Sequence, residues 1–285
     1  MQYRSGKFTV DTATTADEDL VRGLLDGASW QHRHLDWTPP LALLGQQPFV
    51  LAMDEGVPIG LLACPPDPPG VAWIRLLAVA SGYEIDEVWQ RMWQPVKLAL
   101  HQHSVEQAAA LCIPPWLPSI LKLSGFTSED SVRFLEWANK DLPAKPAKAI
   151  PIEPLLATNL VAVAEVDHRA FAPIWRHSLA ALQNALKHAS YATVLRQNGQ
   201  IAGYQISTAS QHGGHLARLA IDPKFQGKGL ASYLVVDLLH HFKRRGIHRV
   251  TVNTQGSNER SQALYQRLGF QSMDQEFPVL VQGIQ

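Results

Sequence analysis

The sequence contains little cysteine and no long apolar run. Its two cysteines, Cys64 and Cys112, form no CxxC pair, which excludes a disulfide scaffold and a thiolate zinc site and suits a reducing compartment. No stretch approaches the roughly 18 apolar residues of a membrane helix, and the N-terminus has no apolar core of a signal peptide. We therefore expect a cytoplasmic protein without a membrane partner.

Metal-binding patterns are missing too. The chain has 12 histidines, but it has no HExxH motif and no set of four cysteines and histidines with zinc spacing. The pairs His32/His34 and His101/His103 are more typical of solvated or helix-capping histidines. We predict no metal site.

The net charge is zero, which argues against a chain that coats a polyanion. This value conceals an asymmetry, because residues 1–142 hold 10 basic and 17 acidic residues, whereas residues 143–285 hold 15 basic and 8 acidic ones. The asymmetry predicts an acidic partner for the second half. Nucleic acid is a less favoured candidate for this acidic partner. The basic run 243–245 lies at a predicted helix end, where cations suit the helix dipole.

A proline-containing stretch divides the chain. Pro143 and Pro146 lie among small and polar residues, and proline continues neither a helix nor a central strand. This stretch predicts a linker between domains 1–142 and 149–285. The two halves also share landmarks, because residues 77–79 match 219–221 and residues 125–126 match 269–270, at separations of 142 and 144 residues. The sequence therefore predicts an internal duplication.

A glycine-rich loop stands between a predicted strand and a predicted helix. The strand ends near Ile221, Gly227 and Gly229 lie in the loop, and a helix with an apolar stripe begins near Leu230. Glycine allows a ligand to approach the backbone closely, and a helix start presents free N–H groups with a positive dipole end. This arrangement is typical of a phosphate-binding site, although a tight strand-to-helix turn would show the same pattern.

A second motif makes the first more specific. Together they resemble the signatures of the GNAT superfamily, the acyl-CoA-dependent N-acetyltransferases. The family pattern Q/R-x-x-G-x-G/A is met by Gln226, Gly229 and Ala231, and the later pattern N-x-x-A/S-x-x-x-Y-x-x-x-G-F is met by Asn258, Ser261, Tyr265, Gly269 and Phe270. The resemblance covers residues 149–285 clearly and residues 1–142 only through the order of their elements.

The resemblance implies an α/β fold of two tandem GNAT-like domains, each a twisted, mostly antiparallel sheet flanked by helices. It implies acetyl-CoA as the co-substrate and Tyr265 as the catalytic acid that protonates the departing thiolate. The residues implied to bind acetyl-CoA are Leu219 and Ile221 through their backbone, Gln226, Gly227, Lys228, Gly229, Leu230 and Ala231 around the pyrophosphate, and Asn258 and Ser261 on the next helix.

The chain departs from the family pattern at the strand before the loop. Many members carry a glutamate there, but residues 215–221 contain none. His215 is a candidate base, although a lone histidine at a strand start is more often merely solvent-exposed. His177, near the break between two predicted helices, is a second candidate. Trp175 and Tyr204 are candidate walls of the acceptor site, or else packing aromatics.

The first half resembles a repeat that has lost its site. Residues 84–87 stand opposite residues 226–229 of the glycine loop; they contain no glycine and include the carboxylates Glu84, Asp86 and Glu87. Carboxylates disfavour a pyrophosphate there, and they suit a helix start. An alternative hypothesis makes Glu84 and Asp86 one wall of the acceptor site, where they would attract a cationic amine.

The leading prediction is an acetyl-CoA-dependent N-acetyltransferase that acts on a primary amine, with a small-molecule acceptor favoured over a protein tail. The main alternative is a non-catalytic acyl-CoA-binding regulatory module, which the missing glutamate supports. The sequence leaves a homodimer open.

Overall fold

The computed structural model describes residues 7–138, 141–145 and 150–284. Helices and strands alternate along the chain. The first part contains β1 (Thr9–Thr12), α1 (Glu18–Gly27), β2 (Ala28–Arg33), β3 (Phe49–Asp54), β4 (Val57–Ala63), β5 (Val71–Trp73), β6 (Leu76–Ala80), α2 (Ile85–Gln102), β7 (Gln107–Leu111) and α3 (Leu117–Leu123). The second part contains β8 (Thr127–Ala138), β9 (Ile152–Pro154), α4 (Leu160–Ala170), α5 (Leu179–His188), β10 (Tyr191–Gln197), β11 (Gln200–Ser210), β12 (Gly213–Ile221), α6 (Leu230–Arg244), β13 (Arg249–Gln255), α7 (Glu259–Arg267) and β14 (Gln271–Gly283).

The chain folds into two compact units whose limits differ from the predicted domains. One unit comprises Met1–Asp130 with Phe277–Gln285, and the other comprises Ser131–Glu276. The compact units thus differ from the predicted range 1–142 at its end and from the predicted range 149–285 at both its start and its end. Residues 132–138 of β8 pair with β13 in the second unit, and residues 279–283 of β14 pair with β7 in the first. Each unit is completed by the last strand of the other sequence half.

The predicted linker is only partly visible. Residues 141–145 form neither helix nor strand, whereas residues 146–148 lie outside the described residues. The first unit ends before this stretch, because β8 already belongs mainly to the second unit. A proline-rich sequence therefore marks an irregular connection here, but it does not mark the boundary between the compact units.

The first unit contains an antiparallel sheet in the order β1-β3-β4-β6-β2. Strand β5 pairs in parallel with β7, and β7 pairs antiparallel with β14. Helix α2 buries an aromatic face, where the rings of Trp89 and Trp93 stack with centroids 5.2 Å apart. Cys64 and Cys112 are both buried and unbridged in this unit.

The second unit repeats the order of elements of the first. The succession β12-α6-β13-α7-β14 corresponds to β6-α2-β7-α3-β8. The glycines that end the short helices also correspond, since Gly125 and Gly269 have φ values of 88° and 91°, which only glycine adopts readily. The predicted tandem arrangement of two mixed α/β repeats is confirmed.

The sheet of the second unit runs in the order β8-β13-β12-β11-β10-β9. Its β10–β11 hairpin turns at Asn198 and Gly199, which have positive φ values of 52° and 77°, as a two-residue hairpin turn requires. Helix α6 buries Leu234, Leu238 and Phe242 along one stripe. No helix in the described parts of the chain is long and apolar enough to cross a membrane.

Candidate active site

The candidate site lies in the second unit, where two parallel strands stop pairing. Strand β12 pairs with β13 only from Gly214 to Leu216, although it continues beside β11 as far as Ile221. The Asp222 amide donates to the Ala202 carbonyl of β11. Because alternate residues of a strand direct their backbone groups to opposite sides, Leu219 and Ile221 direct theirs away from β11. The strands therefore leave a backbone edge facing the gap between them.

The glycine loop follows this edge. Gly227 and Gly229 both have φ of 75°, and Gly229 is the N-cap of α6. A side-chain carbon added at either glycine would meet no atom within 4 Å, so the left-handed backbone, rather than lack of space, demands glycine here. The side-chain amide of Gln226 donates to the Ile221 carbonyl over 3.0 Å and fixes the start of the loop. The free N–H groups at the start of α6 then form an anion site.

A cleft of about 1040 Å³ lies against this loop. Of the predicted cofactor residues, Leu219, Ile221, Gln226, Gly227, Gly229, Leu230, Ala231, Asn258 and Ser261 line it. Lys228 does not line it, and its ammonium lies 5.4 Å from the centre of the Phe225 ring. The prediction missed Arg260 and Arg267, which line the same cleft from α7. Their seven-residue spacing, which puts both on one helix face, is a signal that the sequence offered.

A smaller cleft of about 110 Å³ contains Tyr265. Phe171, Leu219, Asn258 and Ser261 line both clefts, which therefore adjoin. The Tyr265 side chain is buried, and burial raises the pKa of its phenol above the ordinary value. Its hydroxyl has no hydrogen-bond partner among the residues that the structure describes. A protonated, uncommitted phenol is suited to donate a proton at this place.

Asn258 has a structural task in addition to its place in both clefts. Its side-chain oxygen accepts the Ser261 amide over 3.1 Å and so caps α7, and its side-chain nitrogen donates to Gln255. An asparagine at this position stabilises the helix start that carries Tyr265. Asn258 therefore positions α7 independently of any contact with a bound molecule.

A buried ion pair supports the small cleft. The Asp167 carboxylate accepts from Arg218 Nε over 2.7 Å and from the Tyr204 hydroxyl. Arg218 Nη2 also donates to the Trp175 carbonyl over 2.7 Å, and its guanidinium carbon lies 3.6 Å from the centre of the Phe171 ring. The sequence offered one signal of this cluster, an arginine within an otherwise apolar strand segment, which the prediction did not use.

Of the two candidate wall residues, Trp175 and Tyr204, only the first lines a cleft. Trp175 lines the small cleft, as does Arg218. Tyr204 is fully buried and lines neither cleft, because its hydroxyl is held by Asp167. Its burial fits the packing alternative, and neither cleft supports a place for it in the acceptor wall.

The two candidate bases lie away from the clefts. His215 Nδ1 is 2.9 Å from the Thr251 hydroxyl, and burial lowers the pKa of His215. The backbone amide of His177 donates to Asp167 over 2.8 Å. Neither histidine lines either cleft, and no aspartate, glutamate or histidine does so among the described residues.

The equivalent place in the first unit is built differently. Glu84 is the N-cap of α2, and Asp86 and Glu87 lie in its first turn. Glu87 also pairs with Arg91 one turn later, over 2.8 Å. Glu84 makes no side-chain cap hydrogen bond, so these carboxylates favour the helix start through their charge, which suits the positive end of the helix dipole as the simpler of the two interpretations predicts. Their suggested contact with an acceptor stays a prediction.

The splayed parallel strands, the glycine loop and the tyrosine-bearing helix together define an acyltransferase fold. Residues 160–270 match the model of the acetyltransferase (GNAT) family. The second unit, which contains the matched residues, is therefore a GNAT domain of the N-acetyltransferase type.

Known proteins agree with this assignment. The chain is 29% identical over 119 residues to the [ribosomal protein bS18]-alanine N-acetyltransferase of Escherichia coli K12, a match that covers 42% of this chain and 79% of that relative. Its fold resembles a tandem GNAT protein from the clavulanic acid biosynthesis pathway, with a TM-score of 0.66, 16% identity and coverage of 98% and 99%. It also resembles a GCN5-related N-acetyltransferase from Anabaena variabilis, with a TM-score of 0.71, 15% identity and coverage of 98% and 73%.

Proposed function

We propose that the second unit transfers an acetyl group from acetyl-CoA to a primary amine. The observation that carries the proposal is the pair of adjoining clefts, one lined by a glycine loop at a helix start and the other containing Tyr265. The loop amides suit a pyrophosphate. The backbone edge at Leu219 and Ile221 faces away from β11 and suits an extended amide chain, as an added strand would. Arg260 and Arg267 supply positive charge on the facing helix.

Acetyl-CoA supplies the acetyl thioester. The amine nitrogen forms a bond to the acetyl carbon and loses one proton, while the carbon–sulfur bond breaks and the sulfur gains one proton. Tyr265 donates that proton, because its raised pKa keeps the phenol protonated. A backbone amide of the free β12 edge stabilises the oxygen on which negative charge develops. Since no ionisable base lines the clefts among the described residues, the amine enters neutral or loses its proton to solvent.

The expected acceptor is the amine of a small molecule. The named activity of the Escherichia coli relatives adds a second candidate, the α-amine of a protein N-terminus. A cytoplasmic location is part of the proposal, and the unbridged Cys64 and Cys112 support it.

A non-catalytic acyl-CoA-binding module is the second candidate function. The specific observation in its favour is the absence of a carboxylate or histidine from the described lining of both clefts. Such a module would retain the glycine loop and bind acetyl-CoA without turnover.

Calorimetric titration with acetyl-CoA, followed by thiol release across a panel of amines, tests the proposal. We expect binding and turnover by the native chain, and in Tyr265→Phe unchanged binding with turnover reduced about 100-fold or more. Tyr233→Phe, which removes a tyrosine hydroxyl from α6 outside the lining of both clefts, is the matched control. No binding of acetyl-CoA would refute the proposal, whereas binding without turnover on any amine would favour the regulatory module.

A further inference from the structure

The small cleft has an electrostatic character that restricts its acceptor. Its described lining includes the cationic side chain of Arg218 and no carboxylate. The lining of the large cleft likewise includes Arg260 and Arg267 and no carboxylate. An acceptor with several positive charges therefore meets no counter-charge in the described lining of either cleft, and it meets like charge instead.

Arg218 is held rigidly at this position. Nε and Nη2 both contact Asp167 Oδ2, over 2.7 and 2.6 Å, and Nη2 also donates to the Trp175 carbonyl. The Phe171 ring stacks on the guanidinium. The side chain is only 10% exposed. Three contacts from three different residues thus fix one orientation of a group that usually has much rotamer freedom.

These contacts leave one part of the guanidinium unused. A guanidinium has five N–H donors, and Nη1 carries two of them. The Tyr204 hydroxyl also interacts with Arg218, but it donates to Asp167 Oδ2, the same atom that Nε and Nη2 contact. No hydrogen bond or ion pair is seen for Nη1 among the described residues, and Nη1 is not among the buried polar atoms that lack a partner. The guanidinium contacts Phe171 and Trp175, and both of these residues line the small cleft together with Arg218. The remaining donors of Arg218 therefore lie beside a molecule in that cleft.

We infer that Arg218 determines acceptor specificity by donating from Nη1 to an oxygen beside the reacting amine. The acceptor class is an α-amino carbonyl compound, in which the carbonyl oxygen lies two bonds from the carbon that carries the amine. This inference rests on the proposed acetyl transfer and narrows its acceptor. The same chemistry occurs in a free amino-acid derivative and in a peptide N-terminus.

The inference excludes a different acceptor class. A polyamine carries several cations and no oxygen, so it would meet Arg218 without a hydrogen-bond acceptor to offer. Asp167 balances the charge of Arg218. The cleft therefore suits an acceptor that, apart from its amine, is neutral or carries one negative charge.

The test compares glycinamide with isobutylamine, which has a similar heavy-atom skeleton but no carbonyl, in the full-length chain. Triglycine and spermidine complete the panel. The measured quantity is the ratio of kcat/KM for glycinamide to that for isobutylamine, in the native chain and in Arg218→Lys. The different amine pKa values of the two compounds affect both proteins equally, so they cancel when the two ratios are compared. Lysine retains a cation for Asp167 but lacks the planar donor fork.

We expect the ratio to fall about 10- to 100-fold in Arg218→Lys, which is the range for one hydrogen bond from a charged donor. The matched control Arg196→Lys, at a surface pair with Glu153 outside both clefts, should leave the ratio unchanged. Acetyl-CoA affinity reports whether each variant is folded. If Arg218→Lys does not bind acetyl-CoA, the native panel decides alone.

The outcomes separate the inference from the proposed function. Turnover of spermidine above glycinamide and triglycine by the native chain would overturn the inference, as would an unchanged ratio in a folded Arg218→Lys. Both results would leave acetyl transfer intact. Failure of every amine with acetyl-CoA bound would instead refute the catalytic proposal. If the inference holds, preference for triglycine over glycinamide points to a peptide N-terminus as the source, and the reverse points to a small molecule.

Discussion

A buried histidine should make the first unit lose stability in mild acid. His32 lies on β2 and is 1% exposed. Its Nε2 lies 3.1 Å from the Ile74 carbonyl, which accepts only, so Nε2 carries the proton of the neutral ring. Protonation must therefore occur at Nδ1, which is sealed from solvent without a partner among the described residues. Burial accordingly lowers the pKa of His32 from 6.5 to about 4.

The sign and size of the effect follow from this pKa. Between pH 6.5 and about 4 the unfolded chain binds a proton at His32 and the folded chain does not, so the free energy of unfolding falls as the pH falls. The difference in pKa corresponds to about 3 kcal/mol at full effect. Above pH 6.5 His32 makes no further contribution. His34, which directly follows β2, acts in the same direction, because burial and nearby Arg75 lower its pKa well below the usual value.

Urea unfolding followed by tryptophan fluorescence measures this effect, because six of the eight tryptophans lie in the first unit. We expect the native chain to lose about 3 kcal/mol more than His32→Gln between pH 7 and pH 4. His101→Gln, at an exposed position of α2, is the control and should behave as the native chain does. Equal pH dependence in the native chain and in His32→Gln would refute the assignment of this effect to His32.

Two further predictions concern packing in each unit. Replacement Asp167→Asn leaves the buried Arg218 without its counter-charge and should lower the free energy of unfolding by about 3–5 kcal/mol, measured in urea, whereas exposed Glu165→Gln should change it little. Deletion of residues 277–285 removes the strand beside β7 and the hydrogen bond from Trp93 to Gln282, so amide exchange at residues 107–111 should accelerate strongly. A chain shortened by one residue is the control, and unchanged exchange after the longer deletion would contradict the strand assignment.

The parts of the site that the sequence revealed are those encoded locally. Gly227 and Gly229 occupy backbone conformations that other residues enter at a cost, so the loop is visible as a motif. Asn258 caps α7, and Tyr265 follows at a spacing of seven residues that puts both on one helix face. In each case a single element and its ends determine the position of the residue.

The parts that the sequence did not reveal depend on contacts between distant segments. Arg218 and Asp167 are 51 positions apart, and neither residue type in its own neighbourhood indicates the other. The pairing of β14 with β7 joins residues more than 160 positions apart in the chain. Proline-rich composition predicts an irregular connection near residue 143, but only backbone pairing decides which unit owns a strand.

The two corresponding helix starts differ in charge. Helix α6 begins after Gly229 with no acidic residue in its first turn, so its free N–H groups and positive dipole end remain available to an anion. Helix α2 begins after Glu84 with Asp86 and Glu87 in its first turn, so its dipole is already compensated. A bound polyanion would be attracted by the first arrangement and repelled by the second. The two units share the order of their elements but differ in charge at this helix start, and we expect this difference to confine acetyl-CoA binding to the second unit.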